Sequence, residues 1–276
     1  MGRKCRSYGT CKLTGKSGTY VRAHLIPKAL TRPSINGAPL EQGGYRSPPT
    51  RRWDSWYDTQ LVTDAGEKIL EDLDTWAIGA LRKHKLVWSG WRRANQAPSD
   101  IHTLIPGTGW GVRIIEGINP HKLRLFFLSL LWRAAATDLM EFSEVVLPPN
   151  ELETLRLMLL QGDSTPLSFY PAHLIQLSTV GIIHNHSPIT GIKSIPPVEE
   201  DPPRKIPIFR FYLDGLVVHI HRHASDSGYT ESMRPLVVGG DKKLFVSTVM
   251  YEKSLQRDII RQTIAETYGF PEPRSG

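Results

Sequence analysis

Residues 11–30 read CKLTGKSGTYVRAHLIPKAL, and the interpretation of the N-terminal part of the chain turns on them. Gly15 to Gly18 make a turn region. The apolar run at Tyr20, Val21 and Ala23 to Ile26 follows it, and Pro27 stops the run. Turn residues beside a short apolar run predict a hairpin over 11–26, with His24 on its second arm. Outward from this stretch, residues 31–52 are rich in Pro, Gly and Arg. That is too long for a plain connector, so a functional or loose loop is expected. Residues 64–85 follow as the clearest helix. Ile69, Leu70, Leu73, Trp76, Ala77, Ala80 and Leu81 recur at three- and four-residue spacing, which marks a buried stripe. Asp64 is the expected N-cap, with Glu67 three residues on as a capping-box acid. Lys83, His84 and Lys85 suit the negative end of the helix dipole.

Charge is distributed unevenly around the same stretch. The whole chain carries +7, but residues 1–53 hold eleven Lys or Arg and a single acid, Glu41. A basic excess confined to the first fifth of the chain points to a polyanion, most simply nucleic acid. A solvated basic face is the plain alternative.

The motifs of this region resemble the start of HNH-type (ββα-metal) endonucleases. Cys11 and Gly15 match a Cys-x-x-Cys-Gly knuckle, with Thr14 in the second cysteine's place. His24-Leu25-Ile26-Pro27 matches the His-Ile-Ile-Pro segment that follows. Further on, Leu61 to Glu67 matches Leu-Cys-x-x-Cys-His, with Thr63 and Gly66 in the cysteine places and Glu67 in the metal-ligand place. Asp58 stands where the family has Asn. The resemblance covers about a third of the chain, residues 1–95. It implies a ββα module in which His24 is the general base, Glu67 holds Mg²⁺ or a similar divalent ion, and Asp58 orients or ligates. It also implies phosphate contacts from Arg22, Lys28, Arg51 and Arg52. Glu71 and Asp74, at i+4 and i+7 from Glu67, would extend the acidic face, and a solvated helix face is their plain reading. All but one of the knuckle cysteines are missing, so no structural zinc is expected, and Trp53, Trp56, Trp76 and a larger core would have to replace it.

The rest of the chain, 96–276, reads as a second region of helices and an antiparallel sheet, giving an α+β fold overall. Asn119-Pro120 is an N-cap and N1 pair opening a helix that is apolar nearly all round. A third helix starts after Pro148-Pro149-Asn150 and stops at Gly162. Residues 187–207 are Pro-rich and read as an extended, solvated connection. Asp214-Gly215 and Gly239-Gly240-Asp241 each predict a hairpin, and a last helix is expected near 252–268. His184, His186, His219, His221 and His223 cluster in sequence. The three that alternate share a strand face and could bind a borderline metal such as zinc.

Other chemistries lack their signatures. GTGWG at 107–111 completes no phosphate loop, no Gly-x-Ser-x-Gly elbow occurs, and Cys11 with His24 lacks a third orienting residue. Two cysteines, Cys5 and Cys11, cannot build a disulfide framework. No run of eighteen apolar residues, no secretory leader and no myristoylation pattern is read, so a cytoplasmic protein away from membranes is expected. Three functions follow: a metal-dependent endonuclease acting on DNA rather than RNA, in a bacterial defence or mobile-element setting; a non-cleaving HNH-like nucleic-acid-binding or interaction protein; and a metalloenzyme using the C-terminal histidines. A protein partner for the C-terminal part is a further expectation.

Overall fold

The computed structural model describes residues 7–31, 40–44, 47–52, 54–91, 94–97, 102–195, 204–222 and 233–268. Cys5, Trp53 and His223 lie outside these residues. Five α-helices and a seven-stranded sheet organise the described chain, which is mixed α and β.

The N-terminal hairpin is shifted from its expected place. β1 (Tyr8–Thr10) pairs antiparallel with β2 (Ser17–Thr19), and the turn between them is closed by Cys11 N–H donating to the Lys16 carbonyl at 3.0 Å. Gly15 sits at φ +70, in the left-handed region that the turn needs. β3 (Ala23–His24) does not join that hairpin. It pairs antiparallel with β6 (Tyr57–Asp58), so the second arm of the ribbon comes from more than thirty residues downstream. Between them lie α1 (Lys28–Thr31), β4 (Leu40–Gly44) and β5 (Ser47–Arg52), the last two an antiparallel pair where a loop was expected.

α2 (Asp64–Lys83) buries Leu70, Leu73, Ala77 and Leu81 as its spacing dictates. Its N-cap is Thr63 rather than Asp64, and Thr63 makes no side-chain cap bond, so the anticipated capping box does not form. Its far end is closed by Arg113, whose guanidinium donates to the His84 and Lys85 carbonyls at 2.8 and 3.0 Å. A cation there suits the exposed carbonyl end of the helix.

α3 (Pro120–Ala136) is the central core helix. Asn119 caps it by accepting from Lys122 N–H at 3.0 Å, Pro120 occupies the first position, and thirteen of its residues are buried. α4 (Pro149–Gln161) packs beside α3 and ends at Gly162, φ +69.

The large sheet is mixed. Besides β7 (Thr103–Leu104), β8 (Trp110–Ile115), β9 (Ala172–Leu177) and β11 (Ile189–Ile195), it holds β12 (Arg204–Leu213), β13 (Leu216–His221) and β14 (Leu244–Val249). Their spatial order is β11-β12-β13-β9-β14-β8-β7. β9 and β14 run parallel and the other pairs antiparallel, which corrects the purely antiparallel expectation. Two of its strands, β7 and β8, come from before α3 and the other five from after α4, so the sheet is assembled from both sides of the helices. The Asp214-Gly215 hairpin forms as read, both residues at positive φ. The Gly239-Gly240 hairpin does not. β14 pairs with β8 and β9 instead, and the preceding Val238 N–H donates to Ala172 O. Within the Pro-rich stretch read as a connection, 187–207, Ile189–Ile195 form β11, paired over seven residues with β12, and 204–207 open β12; residues 196–203 lie outside the described residues. β10 (Asn185–His186) runs parallel to β4 in a smaller sheet.

Helices cover both faces of the large sheet. One face, carrying Leu174, Phe209, Phe211, Val218 and Ile220, joins α3 in an apolar cluster that also contains Cys11, Leu25, Trp56, Leu70 and Leu81. That core runs unbroken across residue 95. The other face, with Leu177, Tyr212, Val217 and Val249, packs on Trp88, Trp91 and α5 (Leu255–Tyr268). Among the described residues no helix is long and apolar enough to cross a membrane.

Candidate functional site

The β3–β6 ribbon has two faces, because neighbouring residues on a strand point to opposite sides. Paired residues share a side. Ala23 and Asp58 therefore face one way, and His24 and Tyr57 the other.

On the outer side, Arg22 lies over the ring of the exposed Tyr57, with its guanidinium carbon 3.5 Å from the ring centre. Asp54 is the hub of this side. Arg22 donates to it, the Lys28 ammonium is 3.6 Å away, and the His24 Nε2 atom is 3.7 Å from its other oxygen. Ser55 N–H also donates to Asp54 at 3.0 Å. Partial burial raises the Asp54 carboxyl, but the Ser55 N–H and the charges of Arg22, Lys28 and His24 outweigh it, so it ionises below the usual range. Burial lowers the His24 imidazole. Asp54 opposes that shift, and Arg22 and Lys28 reinforce it. His24 Nε2 is itself buried and, among the described residues, has no hydrogen-bond partner. Asp54 escaped the reading of motifs. The available sign was its place as the first acid after Glu41 in a strongly basic run, where a carboxylate is held by the cations around it.

On the inner side, Asp58 is fully engaged. One oxygen accepts Gln60 N–H at 2.7 Å and the other accepts the Thr137 hydroxyl at 2.7 Å. It ties the ribbon to the end of α3 and does not reach His24. Glu67, on the first turn of α2, is half-buried. Burial pushes its carboxyl up to about 7; Arg133 pulls it down, and Asp74 and Glu71 push it further up. Arg133, also unforeseen, is the buried link between the parts. It makes a two-pronged ion pair with Asp74 at 2.6 and 2.8 Å and donates to the His24 backbone carbonyl at 3.1 Å. The charges acting on His24 are Asp54, Arg22 and Lys28, and those acting on Glu67 are Arg133, Asp74 and Glu71. Arg133 links the two residues, through its bond to the His24 carbonyl and the charge it exerts on Glu67. Arg51 and Arg52 end β5, and their side chains lie outside the described residues.

The four places that the resemblance assigns to knuckle cysteines come together. The buried Cys11 Sγ accepts Thr14 N–H at 3.4 Å. Thr63 also hydrogen-bonds the thiol, and with Thr14 it outweighs the upward effect of burial, leaving the thiol below its usual range. A Cβ built on Gly66 would lie 2.6 Å from the same sulfur.

His219 and His221 share one face of β13 as their spacing suggested, and His184 and His186 make separate contacts. His184 stacks on Tyr212 and bonds Gln256 of α5, and His186 bonds the Ser187 carbonyl. His219 and His221 lie on β13 beside His173 of β9. Among the described residues no group of three or more His, Cys, Asp or Glu is placed to hold a metal ion.

No protein-family model, no curated protein and no solved structure matches this chain.

Proposed function

We propose that the chain is a nucleic-acid-binding protein built on an HNH-like (ββα) scaffold, contacting backbone phosphates at Arg22 and Lys28 around the His24–Asp54 pair, DNA in preference to RNA. The observation that carries this reading is the meeting of Cys11, Thr14, Thr63 and Gly66 at one point, between the first turn of the chain and the start of α2. Only Cys11 among them is a metal ligand by type, so a hydrogen-bonded thiol stands where a knuckle would need zinc. The order β3, β6, α2 along the chain agrees with the same scaffold. The basic N-terminal run supplies the electrostatic attraction.

The divalent ion implied by the resemblance does not fit His24, Asp58 and Glu67 as a set. Asp58 has both oxygens occupied on the far side of the ribbon, and Glu67 answers to Arg133. The test is binding of a short DNA duplex as salt is varied. Wild type is expected to bind with a steep salt dependence, and Arg22→Ala/Lys28→Ala to lose about tenfold in affinity and to flatten the slope. Absence of binding by the wild type at low salt, or equal binding by the double variant, overturns the reading.

One observation favours a second reading, metal-dependent endonuclease activity. The Glu67 carboxyl is held near neutral by burial with Glu71 and Asp74 beside it, and a bound cation would relieve that. Plasmid nicking with Mg²⁺ or Mn²⁺ that is lost in both Glu67→Gln and His24→Ala would establish it. Wild-type protein that leaves plasmid intact removes it.

A further inference from the structure

The face of the large sheet turned toward α5 carries an unusual polar group. Register places His173 of β9 opposite His219 of β13, and His219 opposite Arg210 of β12. His221 lies two residues along from His219. Lys193 of β11 pairs with Ile206, four residues before Arg210. Alternation along each strand puts all five side chains on one side of the sheet. The rings of His173 and His221 stack with centroids 4.4 Å apart and planes 11° apart. His173 and Arg210 are buried, and the Arg210 guanidinium donates to the side-chain carbonyl of Gln256 on α5.

The charge of this group is unbalanced. No ion pair joins Lys193 or Arg210 to a carboxylate among the described residues. Among the described residues, His173 Nε2 and His219 Nδ1 are buried without a hydrogen-bond partner. Burial pushes the imidazoles of His219 and His221 down to about 3, and His173 well below its ordinary value; Lys193 adds to the shift of all three and Arg210 to that of His219. Beyond the cluster, the charged group acting on it is Arg124, from the α3 side, and it is also positive. Glu144 acts on His186 instead. At neutral pH the face therefore holds two permanent cations and neutral imidazoles. Buried charge without a counter-charge is costly, and unpaired ring nitrogens add to that cost.

The geometry points to an oxyanion site on this face: a doubly charged tetrahedral anion of the phosphate class, held by Lys193 and Arg210 with N–H groups of His173 and His219 completing its shell. Several convergent donors match the four oxygens of phosphate better than the two of a carboxylate. A metal ion would have to sit beside two fixed cations. The inference is independent of the nucleic-acid reading, since it uses none of the N-terminal residues.

The test is calorimetric titration of the full chain with inorganic phosphate and with a nucleoside 5′-monophosphate, at fixed ionic strength and neutral pH. The wild type is expected to bind with one-to-one stoichiometry. Lys193→Met should weaken binding by at least about tenfold, Lys193→Arg should retain it, and Lys205→Met, the same charge change at an exposed position on β12, should leave it unchanged. Binding of the nucleotide assigns the site to a phosphomonoester, and binding of phosphate alone assigns it to the free anion. A wild type that binds neither, a Lys193→Met protein that binds as the wild type does, or an equal loss in Lys205→Met overturns the site. Imidazole NMR of the wild type gives a readout that needs no variant. Phosphate should shift the ring resonances of His173 and His219 and leave His121 in place, and unmoved rings at saturating phosphate count against the site.

Discussion

A Cβ added to Gly66 would lie 2.6 Å from the Sγ of Cys11, closer than such atoms approach in folded proteins. The first turn of α2 thus rests directly on the buried thiol, and the absence of a side chain at 66 is what allows it. Gly66→Ala has to push the sulfur or the helix aside in a filled core, at about 1–3 kcal/mol. Chemical denaturation should show that loss. Gly79→Ala, on the same helix with open space around it, should be neutral or slightly stabilising. Equal behaviour of the two variants would contradict the contact.

The same cluster can be asked to hold metal. Thr14→Cys, Thr63→Cys and Gly66→Cys together would place four thiols around this point, with the Cys11 sulfur turned away from the new Cβ at 66. If these positions carry knuckle geometry, the triple variant should bind one zinc per chain, measured by elemental analysis, and melt higher with zinc than with chelator. A folded variant that takes up no zinc would show that the four positions are neighbours without tetrahedral geometry.

Arg133 and Asp74 form the most consequential ion pair of the inner side. The Arg133 side chain is 1% exposed and that of Asp74 15%. Arg133→Met strands the carboxylate and releases the His24 carbonyl, which should cost about 3–5 kcal/mol. Asp74→Asn leaves the guanidinium its bonds to the Ser129 hydroxyl and the His24 carbonyl and should cost less. Urea midpoints in the reverse order would contradict this account of the pair.

On the outer side, Asp54 supports the His24 proton and occupies two cations. Asp54→Asn removes the one acid that raises the imidazole, so His24 should titrate at lower pH than in the wild type, followed by NMR. It also frees Arg22 and Lys28. On the nucleic-acid reading, duplex affinity should then rise and its salt dependence steepen by about one to two phosphate contacts. A variant with weaker binding and an unmoved His24 would show that Asp54 organises the face rather than masking it.

What the sequence disclosed tracks the range of the forces involved. The stripe of α2, the Asn119-Pro120 opening of α3, the Gly162 stop of α4 and the Asp214-Gly215 turn are written in residues close together, and all appear where read. Errors arose where a partner comes from far along the chain. β3 pairs with β6 and not with its neighbour, and β14 joins β9 in parallel, because register across a long loop leaves no local mark. The Pro-rich stretch after 187 misled for a related reason. β11 (ITGIKSI) is a proline-free edge strand set between Pro188 and Pro196-Pro197, so the composition of the whole stretch hides it. Around His24, which the resemblance singles out, Asp54 and Arg133 carried no such mark. Each acts through a contact with residues that no spacing rule connects to it.

Glu67 gives the fold a pH dependence whose sign can be worked out. Its carboxyl titrates near 4.5 in an unfolded chain and at about 7 in the folded protein. Below 4.5 both states hold the proton and its contribution is fully present. Between 4.5 and 7 the folded state keeps a proton that the unfolded state has lost, so stability falls as pH rises through that window and levels off above it. The group is half-buried, so solvent screening reduces the effect to about 1–2 kcal/mol. Glu67→Gln removes the titration. The variant should gain on the wild type from pH 5 to pH 7 in urea denaturation and hold that gain above pH 7, with the two converging at acid pH. Mg²⁺ at neutral pH should stabilise the wild type and not the variant if the carboxylate takes a cation. Parallel stability profiles for the two proteins would mean that Arg133 already satisfies Glu67, and that neither a proton nor a metal ion is needed there.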